Sequence, residues 1–328
     1  MSPRRVGLVL GSAMPPERLA PVVRSVEASG FDRVWLAEDF FFTGGVSGAA
    51  IVLAASERLT VGLGVVSAMV RHPALLAMEI ATLARSFPGR LVPGIGLGVP
   101  DWLRQMRLLP ESPLTALREC VGIVRRLLAG ETVSSNGEVF SVSDVRLSHP
   151  PAEPVPLHLG VIGPRMLRLS GAVADGSILS VCAGADYVRW ARGVIDTGRR
   201  QAGAPSGHEV TTFTLYSVGE DGEAAREEMR RTLAFYLAAG GPNALTDAAG
   251  ISTELVALLD RHGPENLHEA MPDPWVDRLA VAGDPGEAVA GIQRLLDAGA
   301  DSVALFPVPP DEAGSMIEQT AEDVIPLL

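Results

Sequence analysis

Residues 59–97 read LTVGLGVVSAMVRHPALLAMEIATLARSFPGRLVPGIGL, and the organisation of the whole chain can be worked out from this stretch. Leu59–Ser67 is apolar and rich in β-branched residues, and Pro73–Ser86 repeats its apolar residues at helical spacing. Phe87-Pro88-Gly89 stops that helix, and Arg90–Leu97 is apolar again. A strand, a helix and a strand in this order form a unit whose two strands lie parallel, with the helix packed across them. The same alternation runs outward in both directions. Toward the N-terminus lie a strand at Arg5–Leu10, a helix at Pro15–Ser29 ended by Gly30, and a strand at Phe31–Ala37. Toward the C-terminus come a helix at Pro113–Leu128, a strand at Pro156–Ile162, a helix at Pro164–Ala174 and a strand at Ser177–Val181. These are followed by a helix at Ala185–Gln201 and a strand at Val210–Val218.

Residues Glu223–Asp277 are less regular, with helical segments. Gly283-Asp284-Pro285 then caps a helix at Gly286–Ala298, Val303–Phe306 is the last strand, and Glu312–Leu328 is a closing helix. Eight strands in parallel units predict an α/β fold, a (β/α)8 TIM barrel forming one domain over residues 1–328. One stretch breaks the pattern. Around residues 130–148, Asn136-Gly137 stands between short β-prone runs and predicts a β-hairpin inserted between the fourth and fifth βα units.

Composition removes whole classes of chemistry. All 27 basic residues are Arg, so lysine Schiff bases, pyridoxal enzymes and Walker-type phosphate loops are excluded. A net charge of −12 without an Arg-rich patch argues against nucleic acid and anionic membrane surfaces as partners. Cys120 and Cys182 are far apart in sequence, and the six His show no ligand spacing, so neither a disulfide framework nor a metal site is expected. The apolar run Val6–Leu10 is too short for a membrane span or a signal sequence, and a cytoplasmic protein is expected.

In a parallel barrel the loops after the strands form the functional face. Here they are rich in Gly and poor in titratable groups. Gly94-Ile95-Gly96-Leu97-Gly98 invites a dinucleotide reading, but the third glycine of that spacing falls on Val99. Two readings remain for this run: a tight strand exit, or a bare backbone against which a flat ring can lie. Gly163-Pro164-Arg165-Met166 opens a helix, so free amides and the helix dipole offer a place for an anion such as phosphate, with Arg165 beside it. Glu38 and Asp39 end the second strand, either capping a neighbouring loop or contacting a ligand. Phe40-Phe41-Phe42 follows, as a plug for the mouth or as a substrate wall.

Three blocks carry a family resemblance: Val61–Ala77 with Arg71-His72-Pro73, Gly89–Gly98, and Val281–Pro285. They resemble the bacterial luciferase-like superfamily, and most of all its deazaflavin-dependent branch typified by methylenetetrahydromethanopterin reductase, over nearly the full chain. The resemblance implies a barrel that holds coenzyme F420, or alternatively FMN, on its C-terminal face. It implies a non-prolyl cis peptide at Gly64-Val65 backing the cofactor ring, with Val66, Ser67, Gly96 and Gly98 nearby and the cofactor phosphate at Ile162, Gly163, Pro164, Arg165 and Met166. The catalytic histidine of the sugar-phosphate and alcohol dehydrogenases falls on Asp39, and their acidic residues fall on Ala13 or Met14 and on Val99, so their triad is absent. The expectation is hydride transfer from reduced F420 to a small molecule with an activated C=C or C=N bond. Asp39, or else Glu38, handles polar or proton chemistry, and Phe40 and Trp102 shape the substrate side. An FMN-dependent monooxygenase and a non-catalytic flavin-binding protein are the alternatives. A homodimer through the helices at Ile51–Ala55 and Leu75–Leu83 is expected, as in relatives.

Overall fold

A computed structural model describes residues 5–328. In chain order the strands are β1 (Val6–Leu10), β2 (Arg33–Leu36), β3 (Thr60–Ser67), β4 (Leu91–Gly96), β5 (Val133–Asn136), β6 (Ser141–Val145), β7 (His158–Gly160), β8 (Gly176–Leu179), β9 (Glu209–Val218), β10 (Val281–Gly283) and β11 (Ser302–Pro307). Among the described residues, eight of these pair in parallel around a closed ring, β1-β2-β3-β4-β7-β8-β9-β11 and back to β1. The predicted (β/α)8 barrel is therefore the fold. Short β10 was not foreseen; it lies beside the C-terminal end of β9, with Val281 opposite Tyr216 and Gly283 opposite Val218.

β5 and β6 form a separate antiparallel pair. Asn136 pairs with Ser141, so the connection is a four-residue loop rather than a two-residue Asn-Gly turn. The Glu119 carboxylate, from the helix Pro113–Leu128, accepts the amides of Glu138, Val139 and Phe140 at 2.8–3.0 Å. A long-range acceptor thus replaces the local turn chemistry on which the sequence argument relied. The closing segment also departs from a simple helix. It is α-helical only over Ala313–Gln319, widens to π geometry at Thr320–Val324 and tightens at Ile325–Leu327. Thr320 bonds back to the Met316 carbonyl, and Pro326 lacks an amide to continue the ladder.

Two hydrophobic clusters follow from the closed sheet. The larger lies between strands and helices. The smaller fills the lumen with Val9, Trp35, Val92, Ile178, Phe213 and Ala304. Rings on one strand face glycines on another: a Cβ on Gly62 would lie 2.1 Å from Trp35, one on Gly64 2.5 Å from Phe213, and one on Gly176 2.5 Å from His158. Large and small residues interdigitate, so the lower barrel is solid. At its floor, Arg33 pairs with Glu209, which also accepts from Ser302 at 3.2 Å. His158 lies 3.8 Å from Glu209, and burial pushes its pKa down to about 4 against the pull of that carboxylate. No helix is long and apolar enough to cross a membrane among the described residues.

Candidate active site at the barrel mouth

The centre of the mouth is the irregular end of β3. The register of β3 against β4 shifts between Leu63 and Val66, and the Gly64-Val65 peptide is cis, at the step where the resemblance placed it. The shift projects Val65 among glycines. Its Cγ atoms would be 2.5 Å from a Cβ on Gly96, 2.6 Å from one on Gly160 and 3.3 Å from one on Gly94. Gly94 is further constrained by the Leu63 carbonyl, 2.2 Å from its would-be Cβ. The bare faces of Gly94 and Gly96 are therefore filled by the chain's own bulge. Gly96 makes room for Val65.

Val66 and Ser67 are likewise engaged by the chain itself. Val66 is fully buried and faces Gly45 on the helix side. Ser67 is 1% exposed; its hydroxyl donates to the Leu97 carbonyl at 2.6 Å and accepts the Met69 amide at 3.0 Å, fastening the exits of β3 and β4 together. Gly98 has φ +98°, a conformation glycine adopts freely, and a Cβ there would strike the Phe40 ring at 2.8 Å. Ser67 and Gly98 both make contacts that shape the rim.

Glu38 and Asp39 are neighbours in sequence with different surroundings. Glu38, 8% exposed, accepts two parallel bonds from Arg71 at 2.9 and 2.6 Å and the Gly45 amide at 3.1 Å. It caps the helix Gly45–Ala55 and ties β2 to the loop after β3, the arrangement of the loop-capping reading. Arg71 also faces Glu79 at 3.2 Å, so it is neutralised on two sides. Asp39 is half-buried and accepts one short bond, 2.5 Å, from the Ser12 hydroxyl at the exit of β1. No Arg or His pairs with it among the described residues.

The aromatic triplet divides. Phe40 is buried beneath Trp102, with ring centres 5.8 Å apart, whereas Phe41 and Phe42 are 69% and 57% exposed. The plug and the wall are therefore different residues. Across the barrel, Gly163 precedes the helix Pro164–Val173 without a side-chain cap, and nothing lies within 4 Å of where its Cβ would be. Tyr187 donates to the Ile162 carbonyl at 2.7 Å just before this helix, whose first-turn amides at Arg165 and Met166 have no side-chain cap. Free amides at a helix start beside an apolar bulge suit a phosphate-tailed, flat-ringed cofactor.

Sequence reasoning missed Ser12 and Tyr236. Burial pushes the Tyr236 hydroxyl up to about 12, with the Asp39 carboxylate and Cys182 adding to it. Tyr236 lies on the helix Gly222–Gly240, in the stretch read as irregular, and no local motif marks it. Cys182 is itself buried, and burial raises its thiol to about 12, so it is no nucleophile. Among the described residues no group of three or more His, Cys, Asp or Glu could hold a metal.

A model of the luciferase-like monooxygenase family matches residues 1–302. The chain belongs to the luciferase-like family. Among relatives of the luciferase-like chain, the 5,10-methylenetetrahydromethanopterin reductase of Archaeoglobus fulgidus is 29% identical over 93% of this chain and 94% of its own. An F420-dependent glucose-6-phosphate dehydrogenase of Kineococcus radiotolerans is 28% identical over 95% and 93%. The coenzyme F420-dependent tetrahydromethanopterin reductase from Methanopyrus kandleri superposes with a TM-score of 0.87 at 23% identity, covering 99% of both chains. A monooxygenase from Streptomyces bottropensis superposes at 0.74 and 20% identity, covering 98% of this chain and 99% of its own. These two likenesses establish the fold.

Proposed function

We propose that the luciferase-like chain is an oxidoreductase that binds coenzyme F420 at the barrel mouth and reduces an activated C=C or C=N bond of a small molecule. The observation carrying this reading is the pairing of an apolar bulge, Gly64-Val65, with an uncapped helix start at Gly163 within one open mouth. Full-length likeness to F420-dependent relatives supports the choice of deazaflavin.

Val65 would support the ring, and the amides of Arg165 and Met166, with the Arg165 guanidinium, would hold the phosphate. Bound there, the deazaflavin supplies the hydride. The protein orients the substrate against Trp102, which Phe40 backs, excludes water with the apolar floor of Trp35 and Phe213, and holds a hydrogen-bonding carboxylate at Asp39. The decisive measurement is a titration of the purified chain with F420 and with FMN, followed by fluorescence, with oxygen uptake recorded. Saturable F420 binding without oxygen uptake supports the reading. Binding of reduced FMN alone, with dioxygen consumed, supports instead the monooxygenase chemistry in the family's description.

A homodimer through the helices Gly45–Ala55 and Pro73–Ser86 is proposed as well, because Ile51, Leu75 and Met78 are exposed apolar residues on them.

A further inference from the structure

Asp39, at the mouth, is paired with no cationic side chain among the described residues. Asp39 has one oxygen bonded to Ser12, and its other oxygen accepts no side-chain or backbone bond among the described residues. Arg71, the guanidinium in the next loop, is held between Glu38 and Glu79. Tyr236 feels both Asp39 and Cys182. In the ring of strands β8 stands four places from β2, directly opposite, so Cys182 and Asp39 follow strands on facing sides of the opening. Tyr236 is a phenol and brings no positive charge to the carboxylate.

The remaining surfaces there are aromatic. Trp102 is tilted 47° over Phe40, and Phe235, next to Tyr236, is 67% exposed. Phe41, 69% exposed, has φ +74°, and Cys182 has φ +65°. Both are non-glycine residues in the left-handed region, one after each of the two opposed strands. Such conformations persist where the surrounding structure imposes them, and they cluster at ligand sites.

We infer that the substrate side of this mouth recognises an aromatic or otherwise flat apolar molecule bearing a protonated nitrogen, with the nitrogen paired to Asp39 and the ring against Trp102, which Phe40 backs from below. This rests on the proposed reading of the mouth as the reaction site and adds the substrate class to it. A carboxylate in a partly desolvated opening attracts a cation and repels an anion, and aromatic faces add to the attraction for a cation. Sugar phosphates and other anionic substrates are disfavoured by the same arrangement.

Benzylamine, benzyl alcohol and benzoate share one ring and differ in charge. They can be titrated against the full-length chain by tryptophan fluorescence and calorimetry, with F420 affinity measured in parallel. We expect benzylamine to bind at least tenfold more tightly than benzoate. Asp39→Asn should remove that preference, weakening benzylamine about tenfold and leaving benzyl alcohol unchanged. Because the overall charge of −12 barely changes in the variant, it separates Asp39 from general attraction of cations. Tyr236→Phe, with melting temperatures of both variants, controls for folding. Benzoate binding as tightly as benzylamine, no saturable benzylamine binding, or a preference that survives Asp39→Asn overturns the inference. If the preference holds but F420 does not bind, the cofactor reading fails and the cation site stands; if F420 binds and the preference is absent, this inference alone fails.

Discussion

Replacing Arg71 by Ala separates a structural from a catalytic role for the Glu38 side of the mouth. Glu38 is 8% exposed and Arg71 21%, and three of the hydrogen bonds to Glu38 fix β2, the loop after β3 and the start of the helix Gly45–Ala55. Removing one partner of a buried pair costs about 3–5 kcal/mol, because the other charge is left without an answer. Arg71 is partly solvated, so the lower end, about 3 kcal/mol, applies. For 328 residues, an unfolding entropy of about 2.1 cal/mol/K per residue amounts to about 0.7 kcal/mol/K. The melting temperature should therefore fall by about 4 °C. Differential scanning calorimetry reads this directly. Glu38→Gln keeps the shape and leaves Arg71 facing Glu79, so its loss should be smaller, about 1–2 kcal/mol. Combining Glu38→Met with Arg71→Met should recover part of the deficit, since no buried charge is then left alone. The reasoning is refuted if Arg71→Ala melts like the parent while Glu38→Gln abolishes turnover: Glu38 would then be acting in the reaction.

Other outcomes test the remaining links. Gly62→Ala places a methyl 2.1 Å from Trp35, a ring that is fully buried against Phe213; denaturant unfolding should show a loss of about 3 kcal/mol or failure to fold, and a neutral result would mean the lumen is looser than described. Gly163→Asp supplies a helix cap, so the melting temperature should hold or rise, while F420 affinity falls at least tenfold as a carboxylate enters the anion site; unchanged affinity would place the phosphate elsewhere. His158 is neutral in the folded chain down to about pH 4, whereas the unfolded chain takes up this proton near pH 6.5, so stability drains away as pH falls through that window. The loss reaches about 3 kcal/mol at the acid end, and His158→Gln should flatten that part of the curve in urea titrations run at several pH values. Light scattering should report twice the 34.4 kDa chain mass, and Leu75→Glu should return it to one; a monomeric parent would remove the dimer proposal.

Much of the barrel was legible because its period is local. Apolar runs three to ten residues long, separated by amphipathic helices, several with Pro at their starts and Gly at their ends, appear in the sequence as they do in space. The closed ring followed from counting them. What lay outside that logic was decided by contacts distant in sequence: the hairpin loop is set by Glu119 from a preceding helix, and the end of the chain by Thr320 bonding to Tyr216.

At the mouth, the sequence by itself determined which residue types were present: bare glycines, an uncapped helix start at Gly163, two adjacent carboxylates and no lysine. Tertiary structure alone decided what each of them faces. It turned Glu38 toward Arg71 and Asp39 toward Ser12, filled the space at Gly96 with Val65, and brought Tyr236, from a helix that carries no motif, close enough to Asp39 for that carboxylate to raise its hydroxyl's pKa. The physical reason is that backbone propensity is a property of neighbours along the chain. A carboxylate's role depends instead on the charges and donors that folding places within a few ångströms of it.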